Sequence, residues 1–315
     1  VYMTALENGY TPSSIVLDAP FVIDQGAGLG MWKPDNYEDQ FYGPSTLRLG
    51  IEKSRNLMTV RLAQAIGMEK IAETARQFGV VDDLPHYLSM SLGSGETTLL
   101  RITTAYGMIV NGGKRIEPTF LDRVQDRYGA TLFRHDARAC LACRHIWDER
   151  EPPLPPDLRP RVIGSDTAYQ MVSLLQGAVE RGTGRVIADL GRPLAGKTGT
   201  TNDSHDNWFI GFSPDLVVGV YIGFDQPRSL GPRETGAATA APIFKRFMAD
   251  ALKDAPKTPF RIPPGIRLVR VSAATGQTAR PGDRDVILEA FKADTDLPHA
   301  EAATGGQVPT ETREL

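Results

Sequence analysis

Long apolar stretches are missing from this sequence of 315 residues. The longest run, residues 216–224, is far shorter than the ~20 apolar residues that a membrane-spanning helix requires. A surplus of positive charge is missing as well, because the formal net charge is -3 at pH 7. Nucleic-acid-binding proteins usually carry a basic stripe. These absences exclude a membrane-spanning helix within the sequence and argue against a nucleic-acid partner.

Cysteine is scarce, since the sequence contains only Cys140 and Cys143. His135 and His145 flank the pair, so a zinc site, two free thiols and a disulfide are all open at this stage. A disulfide between residues so close in sequence would add little chain-entropy stabilisation. The sequence also lacks a Gly-x-Ser-x-Gly nucleophile elbow. We therefore interpret His205-Asp206 as part of a polar loop and not as part of a hydrolase triad.

The first residues predict a helix that has no start signal. Residues 1–7 have helical character, and Asn8-Gly9 provides a C-terminal stop. No capping residue comes before them, and the sequence opens with Val1 instead of Met. We therefore expect the sequence to be a truncated piece that begins inside a helix. The alternative is a short frayed terminal turn.

Apolar residues recur at helical spacing in several blocks, and glycines follow most of them. The strongest block begins after Ser165, which is a candidate N-cap. The predicted helices are 57–66, 71–78, 97–110, 166–181 and 240–253.

Strand-like patterns dominate the remainder. Residues 208–212 and 217–224 predict an antiparallel hairpin across a turn at 213–215, and residues 115–135 predict another hairpin. Four domain-level expectations follow, listed here by range: a main domain over 1–255, an inserted segment at about 136–164, a linker with a lone strand over 256–281, and a disordered tail over 282–315.

The motif Lys197-Thr198-Gly199, followed by Thr200, lies between a predicted helix and an apolar hairpin. This position predicts an edge strand, whose unpaired backbone groups can hold an extended peptide as an added strand. Gly199 permits close approach of a substrate to the backbone. Lys197 supplies positive charge, and the threonine hydroxyls can bind a carboxylate. The segment is therefore a candidate peptide-binding strand.

The only Ser-x-Asn of the sequence, Ser54-Arg55-Asn56, lies at the start of the helix predicted over 57–66. Taken alone, this local pattern favours a structural role in which Ser54 or Asn56 caps the helix. Its order before a distant Lys-Thr-Gly favours a second interpretation, because serine penicillin-recognising enzymes use these two motifs in this order.

Further segments extend this likeness, and together they resemble the class A penicillin-binding proteins, alphaproteobacterial type. The likeness covers residues 1 to about 290. It implies an α+β fold of the penicillin-binding protein/serine β-lactamase type, with an antiparallel sheet flanked by helices and an all-helical subdomain. The matching segments are 10–13, 53–56, 92–93 with 96, 111–113, 181–184, 196–201 and 208–212.

One feature of the family is absent. Its nucleophile is the serine of a Ser-x-x-Lys motif, and no lysine in this sequence has a serine three positions before it. The family places that motif just upstream of the segment that residues 1–7 match. The resemblance therefore implies that the nucleophile, its lysine base, the glycosyltransferase domain and the membrane anchor lie outside this sequence.

The resemblance also implies a role for each residue of the two motifs. In the family a serine attacks the bond between two D-alanines of a peptidoglycan stem peptide, and an amine of a neighbouring stem then takes the acyl group. Ser54 would relay a proton, and Lys197 would orient Ser54. Asn56 would bind the amide side of the substrate. Thr198 and Thr200 would bind its terminal carboxylate beside Gly199, and the Thr200 N–H would form half of the oxyanion hole.

The resemblance implies peptidoglycan stem peptides and β-lactams as binding partners, with no cofactor and no metal. It places the parent protein at the periplasmic face of the inner membrane, where thiols tend to oxidise, so a disulfide between Cys140 and Cys143 becomes the favoured alternative. Two other functions compete with a transpeptidase fragment that is inactive alone. They are a related D,D-carboxypeptidase or β-lactamase, and a non-catalytic scaffold that resembles a penicillin-binding protein.

Overall fold

The computed structural model describes residues 1–24, 30–140, 143 and 155–298. Within these residues the α-helices are α1 (Tyr2–Glu7), α2 (Leu47–Glu52), α3 (Asn56–Ile66), α4 (Met68–Gln77), α5 (Leu99–Val110), α6 (Ser165–Glu180) and α7 (Ala240–Ala251). The strands are β1 (Ile15–Asp18), β2 (Ile23–Asp24), β3 (Met31–Trp32), β4 (Gly43–Thr46), β5 (Arg123–Gln125), β6 (Thr131–Arg134), β7 (Ala195–Thr200), β8 (Asn207–Phe212), β9 (Val217–Ile222), β10 (Ile266–Ser272) and β11 (Val286–Lys292).

The largest sheet of the described residues is antiparallel, with the strand order β7-β8-β9. Because side chains alternate along a strand, β8 presents apolar residues to both faces. Phe209 packs on Phe244 of α7, with ring centroids 4.8 Å apart. Phe212 contacts Tyr106 of α5 at 6.3 Å. Helices therefore cover both faces of the sheet, which confirms the predicted α+β class. The antiparallel pairing of β8 with β9 confirms the predicted hairpin.

The helices on one side of the sheet share an apolar core. Leu62 of α3 and Leu174 and Leu175 of α6 are at most 2% exposed, and they belong to one cluster with residues of α1, α2, α4 and α5. Gly67 and Gly79 follow α3 and α4 in left-handed backbone conformations, as the sequence predicts for helix ends. This helical layer places the end of α2 and the start of α3 beside β7.

The start of α6 differs from the prediction. Ser165 is the first helical residue and makes no capping hydrogen bond, so its predicted role as N-cap is wrong. The N-cap is Gly164, because its carbonyl accepts the first helical hydrogen bond, from the Ala168 N–H at 2.9 Å.

The C-terminal segment also differs from the prediction. Residues 286–292 are not a disordered tail, because they form β11 and pair with β10 along its full length. The predicted lone strand is thus half of a hairpin. Phe291 is fully buried, and Gln170 of α6 donates to the Ala290 carbonyl at 2.9 Å. The polar composition of this segment favoured disorder, but its Glu289 is buried and paired with Arg48. Residues past 298 lie outside the described part.

The second predicted hairpin is confirmed, since β5 and β6 pair around a turn closed by Asp126, whose carboxylate accepts from the Tyr128 N–H at 2.8 Å. After it, Cys140 and Cys143 form a disulfide. Residues 141–142 and 144–154 of the predicted insertion, including His145, lie outside the described residues.

Candidate active site

The two sequence motifs meet at one pair of side chains. Lys197 on β7 donates a hydrogen bond from Nζ to Ser54 Oγ at 2.8 Å, although the residues are 143 positions apart. This is normal hydrogen-bonding distance for a charged donor. We refer to these two side chains as the Ser54–Lys197 pair.

Ser54 occupies a turn that holds its side chain toward β7. Its φ of 53° is left-handed, which is uncommon for a residue that is not glycine and occurs often at functional sites. The Ser54 N–H donates to the Ile51 carbonyl, and the Arg55 N–H donates to the Gly50 carbonyl, which closes α2. Arg55 stands at the N-cap position of α3, where no side chain makes a capping bond. The helix-cap interpretation of Ser54 and Asn56 is therefore wrong.

Lys197 lies in a site that disfavours its charge. Burial lowers the pKa of its amine to about 8. Nζ also donates to the Thr198 carbonyl at 3.0 Å and approaches Thr198 Oγ1 at 3.4 Å. These partners are neutral, and no ion pair found among the described residues includes Lys197. An anionic ligand would therefore be its first charged partner.

Among the described residues, strand β7 pairs with β8 on one side and with no strand on the other, so one of its edges is free. The Thr201 N–H donates to the Asp206 carbonyl at 3.0 Å, and this bond fixes the alternation of the ladder. With the register Gly199↔Trp208, the N–H groups of Gly199 and Thr201 point to β8. Those of Thr198 and Thr200 point to the free edge. That edge can accept an extended peptide.

The hydroxyls predicted to bind a carboxylate already have protein partners. Thr198 Oγ1 lies 2.8 Å from Thr183 Oγ1. Thr200 Oγ1 accepts from the Gly236 N–H at 3.0 Å, which leaves the Thr200 hydroxyl proton available for a ligand. Asn56 donates from Nδ2 to the Asp35 carbonyl at 2.9 Å, and its amide oxygen has no hydrogen-bond partner within the described part of the chain.

Gly199 meets the requirement for close packing on β7. A Cβ built there would approach the Trp208 side chain to 3.0 Å on the neighbouring strand. Trp208 in turn packs on Tyr221, with ring centroids 4.6 Å apart. A side chain at position 199 would therefore push against this aromatic pair and disturb the pairing of β7 with β8. Glycine avoids this contact beside the free edge of β7.

Sequence reasoning gave no role to the residues that hold the Ser54 turn from outside. Arg55 stacks on Tyr42, with its guanidinium 3.6 Å from the ring centroid, and pairs with the fully buried Asp18 at 3.3 Å. Asn36 donates to Asp18 at 2.8 Å. The alternation of β1 could have indicated that Asp18 faces inward beside Val16, but its partner cannot be identified from local sequence.

Within the residues that the structure describes, the His205-Asp206 pair forms no triad with a serine nucleophile. Asp206 accepts from the Tyr221 hydroxyl at 2.9 Å, and its N–H donates to Thr201 Oγ1 at 2.8 Å. These contacts connect the loop after β7 to β9. The pair is therefore part of the loop at the end of β7, as the sequence indicates.

Comparison with known proteins agrees with this geometry. Residues 1–249 match the family described as penicillin binding protein transpeptidase domain. Penicillin-binding protein 1A of Rickettsia bellii (strain RML369-C) is 48% identical over 295 residues, which are 93% of this chain and 37% of that protein. This chain thus spans little more than a third of the length of that relative.

Solved structures show the same architecture. The crystal structure of penicillin-binding protein 1A from Haemophilus influenzae superposes with a TM-score of 0.82 at 35% identity, covering 94% of this chain and 47% of the other. The PonA1 protein from Mycobacterium tuberculosis in complex with penicillin V gives a TM-score of 0.67 at 22% identity, covering 83% of this chain and 69% of the other. The second likeness supports the fold alone.

Proposed function

Because this chain belongs to the penicillin-binding protein transpeptidase family, we propose that its Ser54–Lys197 pair and β7 edge bind the D-Ala-D-Ala end of a peptidoglycan stem peptide for acyl transfer. The observation that supports this most directly is the 2.8 Å hydrogen bond between Lys197 Nζ and Ser54 Oγ. It unites the two motifs whose order suggested the family.

The peptide would add to β7 as an extra strand. The Thr200 N–H faces the free edge and would donate to the carbonyl oxygen on which negative charge develops. The Thr200 hydroxyl and the Lys197 ammonium would bind the terminal carboxylate. Thr198 would support this arrangement from its contact with Thr183, 2.8 Å away. The amide oxygen of Asn56 would accept from a peptide N–H at the other end of the cleft.

Ser54 would move the proton that acyl transfer releases. Its hydroxyl accepts from Lys197 and keeps its own proton for donation. When the amide between the two D-alanines breaks, the leaving nitrogen needs one proton, and Ser54 is the group we assign to deliver it. A lysine with a pKa near 8 can exchange protons with Ser54 at neutral pH.

No residue of this chain is assigned as the serine that attacks the substrate and becomes acylated. No lysine has a serine three positions before it, so the Ser-x-x-Lys motif that contains this serine in the family is absent from the sequence. We propose that this chain binds β-lactams and stem peptides reversibly and forms no covalent adduct. Half of the oxyanion hole would be missing along with the serine.

We further propose that the parent protein acts on the cell wall from the periplasmic face of the inner membrane. The chain covers only 37% of the length of its R. bellii relative. Any activity that depends on the other part of such a protein is not assigned to these residues. In the part of the chain that the structure describes, no helix is both long and apolar enough to cross a membrane.

A binding experiment tests this proposal. Titration with an acylated D-Ala-D-Ala peptide should give saturable binding, and Lys197→Ala should weaken it about 10- to 100-fold, since a hydrogen bond to a charged group contributes about 1.5–3 kcal/mol. Lys245→Ala is the matched control, because Lys245 only pairs with Asp189 on the surface. Equal affinities of the two variants would contradict the assignment of Lys197.

A further inference from the structure

A buried ionic cluster lies directly behind the Ser54 turn. Glu52, the last residue of α2, is 1% exposed, and its Oε1 accepts from Arg48 at 3.1 Å and from Arg181 at 2.7 Å. Arg48, 3% exposed, also makes two bonds of 2.5 Å to Glu289. Two carboxylates and two guanidiniums thus balance in charge. Buried charges are retained only when such partners are complete.

Glu52 connects both sides of the candidate site through its backbone as well. Its carbonyl accepts from the Thr183 N–H at 3.1 Å. Thr183 Oγ1 then lies 2.8 Å from Thr198 Oγ1, beside Lys197. In the other direction Glu52 is two residues before Ser54. The residue next to it, Lys53, donates from Nζ to the Arg181 carbonyl at 2.7 Å.

Two glycines provide the space that Glu52 occupies. A Cβ at Gly177, in the interior of α6, would lie 1.9 Å from Glu52 Oε1. A Cβ at Gly182 would lie 2.1 Å from the Glu52 carbonyl oxygen. Glycine inside a helix is normally destabilising relative to alanine, so its presence at position 177 requires a packing reason. The carboxylate of Glu52 is that reason.

We propose that Glu52 is a positioning residue that fixes the Ser54 turn against Thr183 and thereby sets the contact between Ser54 and Lys197. This inference deepens the proposed function and rests on it for the meaning of the Ser54–Lys197 pair. Glu52 touches neither member of the pair and acts through the turn and through Thr183. Glu289, beyond the residues 1–249 that match the family, completes the charge balance around Arg48.

The pKa of Lys197 tests whether Glu52 fixes the Ser54 turn, and it can be measured on this chain without its missing serine motif. Competitive labelling of amines with acetic anhydride, followed by mass spectrometry of the Lys197 peptide from pH 6.5 to 11, gives that pKa without any ligand. We expect a value of about 8 in the unaltered chain. In Glu52→Gln the turn should move, water should reach Nζ, and the pKa should rise toward its ordinary value. The labelling rate at pH 8 should then fall at least about fivefold.

The direction of the change separates positioning from simple electrostatics. Removing a negative charge by itself lowers the pKa of a nearby amine, so a rise reports displacement and exposure. Glu180→Gln is the matched control, because Glu180 also pairs with Arg181, at 2.7 Å, but is exposed and is not part of the buried cluster. Its Lys197 pKa should stay at about 8.

Two outcomes overturn the proposal. The first is a Glu52→Gln chain with a cooperative urea transition whose Lys197 pKa is unchanged or lower. If Glu52→Gln does not fold, Gly177→Ala decides, since alanine favours the helix and its methyl group displaces the Glu52 carboxylate together with the Arg48 and Arg181 guanidinium groups that bind it. The second outcome that overturns the proposal is a folded Gly177→Ala chain whose Lys197 pKa is unchanged. Neither result depends on peptide binding, so a failure of the proposed function leaves this test intact.

Discussion

Replacing Lys197 by methionine should stabilise the protein while it weakens ligand binding. The folded state lowers the pKa of this amine from 10.5 to about 8 through burial. That difference corresponds to about 3 kcal/mol by which the protonated form opposes folding at neutral pH. Partial exposure reduces this amount, and the lost hydrogen bond to Ser54 offsets about 1 kcal/mol more. We therefore expect Lys197→Met to gain about 1–2 kcal/mol at pH 7.

The pH dependence gives this prediction its distinctive sign. Between pH 8 and 10.5 the unfolded chain keeps the Lys197 proton while the folded chain releases it. Because the unfolded state then binds more protons, the stability of the unaltered chain rises with pH across this window. The advantage of Lys197→Met should accordingly be greatest at pH 7 and fall by more than half by pH 9.5.

Urea unfolding at pH 7, 8, 9 and 9.5 measures both chains, and subtraction cancels the titration of all other groups. Lys245→Met is the control, since Lys245 pairs with Asp189 at the surface and should show a difference independent of pH. A Lys197→Met chain that is less stable at pH 7, or whose difference from the unaltered chain does not change with pH, would refute the reasoning.

Three further experiments test other parts of the structure. Arg48→Ala should destabilise by about 3–5 kcal/mol in urea, because Glu52 and Glu289 lose their buried partner, whereas the exposed pair lost in Arg76→Ala should change stability by less than about 1 kcal/mol; similar values would contradict the burial argument. Ser54→Gly should leave folding intact or slightly stabilised, since glycine accepts a φ of 53° freely, and a strongly destabilised variant would show that the turn depends on the Ser54 hydroxyl. Thiol titration of protein made in an oxidising compartment should find no free cysteine, and two reactive thiols would rule out the disulfide between Cys140 and Cys143.

The parts of the site that sequence could predict are those with a local signal. The edge-strand position of Lys197-Thr198-Gly199 could be predicted because the segments on either side, an amphipathic helix and an alternating hairpin, each have a clear hydrophobic period. The contact of Lys197 with Ser54 was implied by the family resemblance, which the order of the two motifs supported, and not by either motif alone.

The parts that sequence could not predict depend on distant partners. Glu289 is 241 positions from Arg48, and a carboxylate in a charged segment gives no local sign that it will be buried. For the same reason residues 286–292 were predicted to be part of a disordered tail. The left-handed turn at Ser54 was equally hidden, because serine does not mark such a backbone as glycine does.

The most direct test of the central claim is a ¹⁵N NMR titration of the chain with an acylated D-Ala-D-Ala peptide. If the peptide adds to the free edge of β7, the amide signals of Thr198 and Thr200 should shift strongly. Those of Gly199, whose N–H points to β8, and of Thr201, whose N–H is bonded to Asp206, should shift little. The matched L-Ala-L-Ala peptide should leave all four signals nearly unchanged. Saturating peptide that shifts all four signals equally, or none of them, would contradict the account.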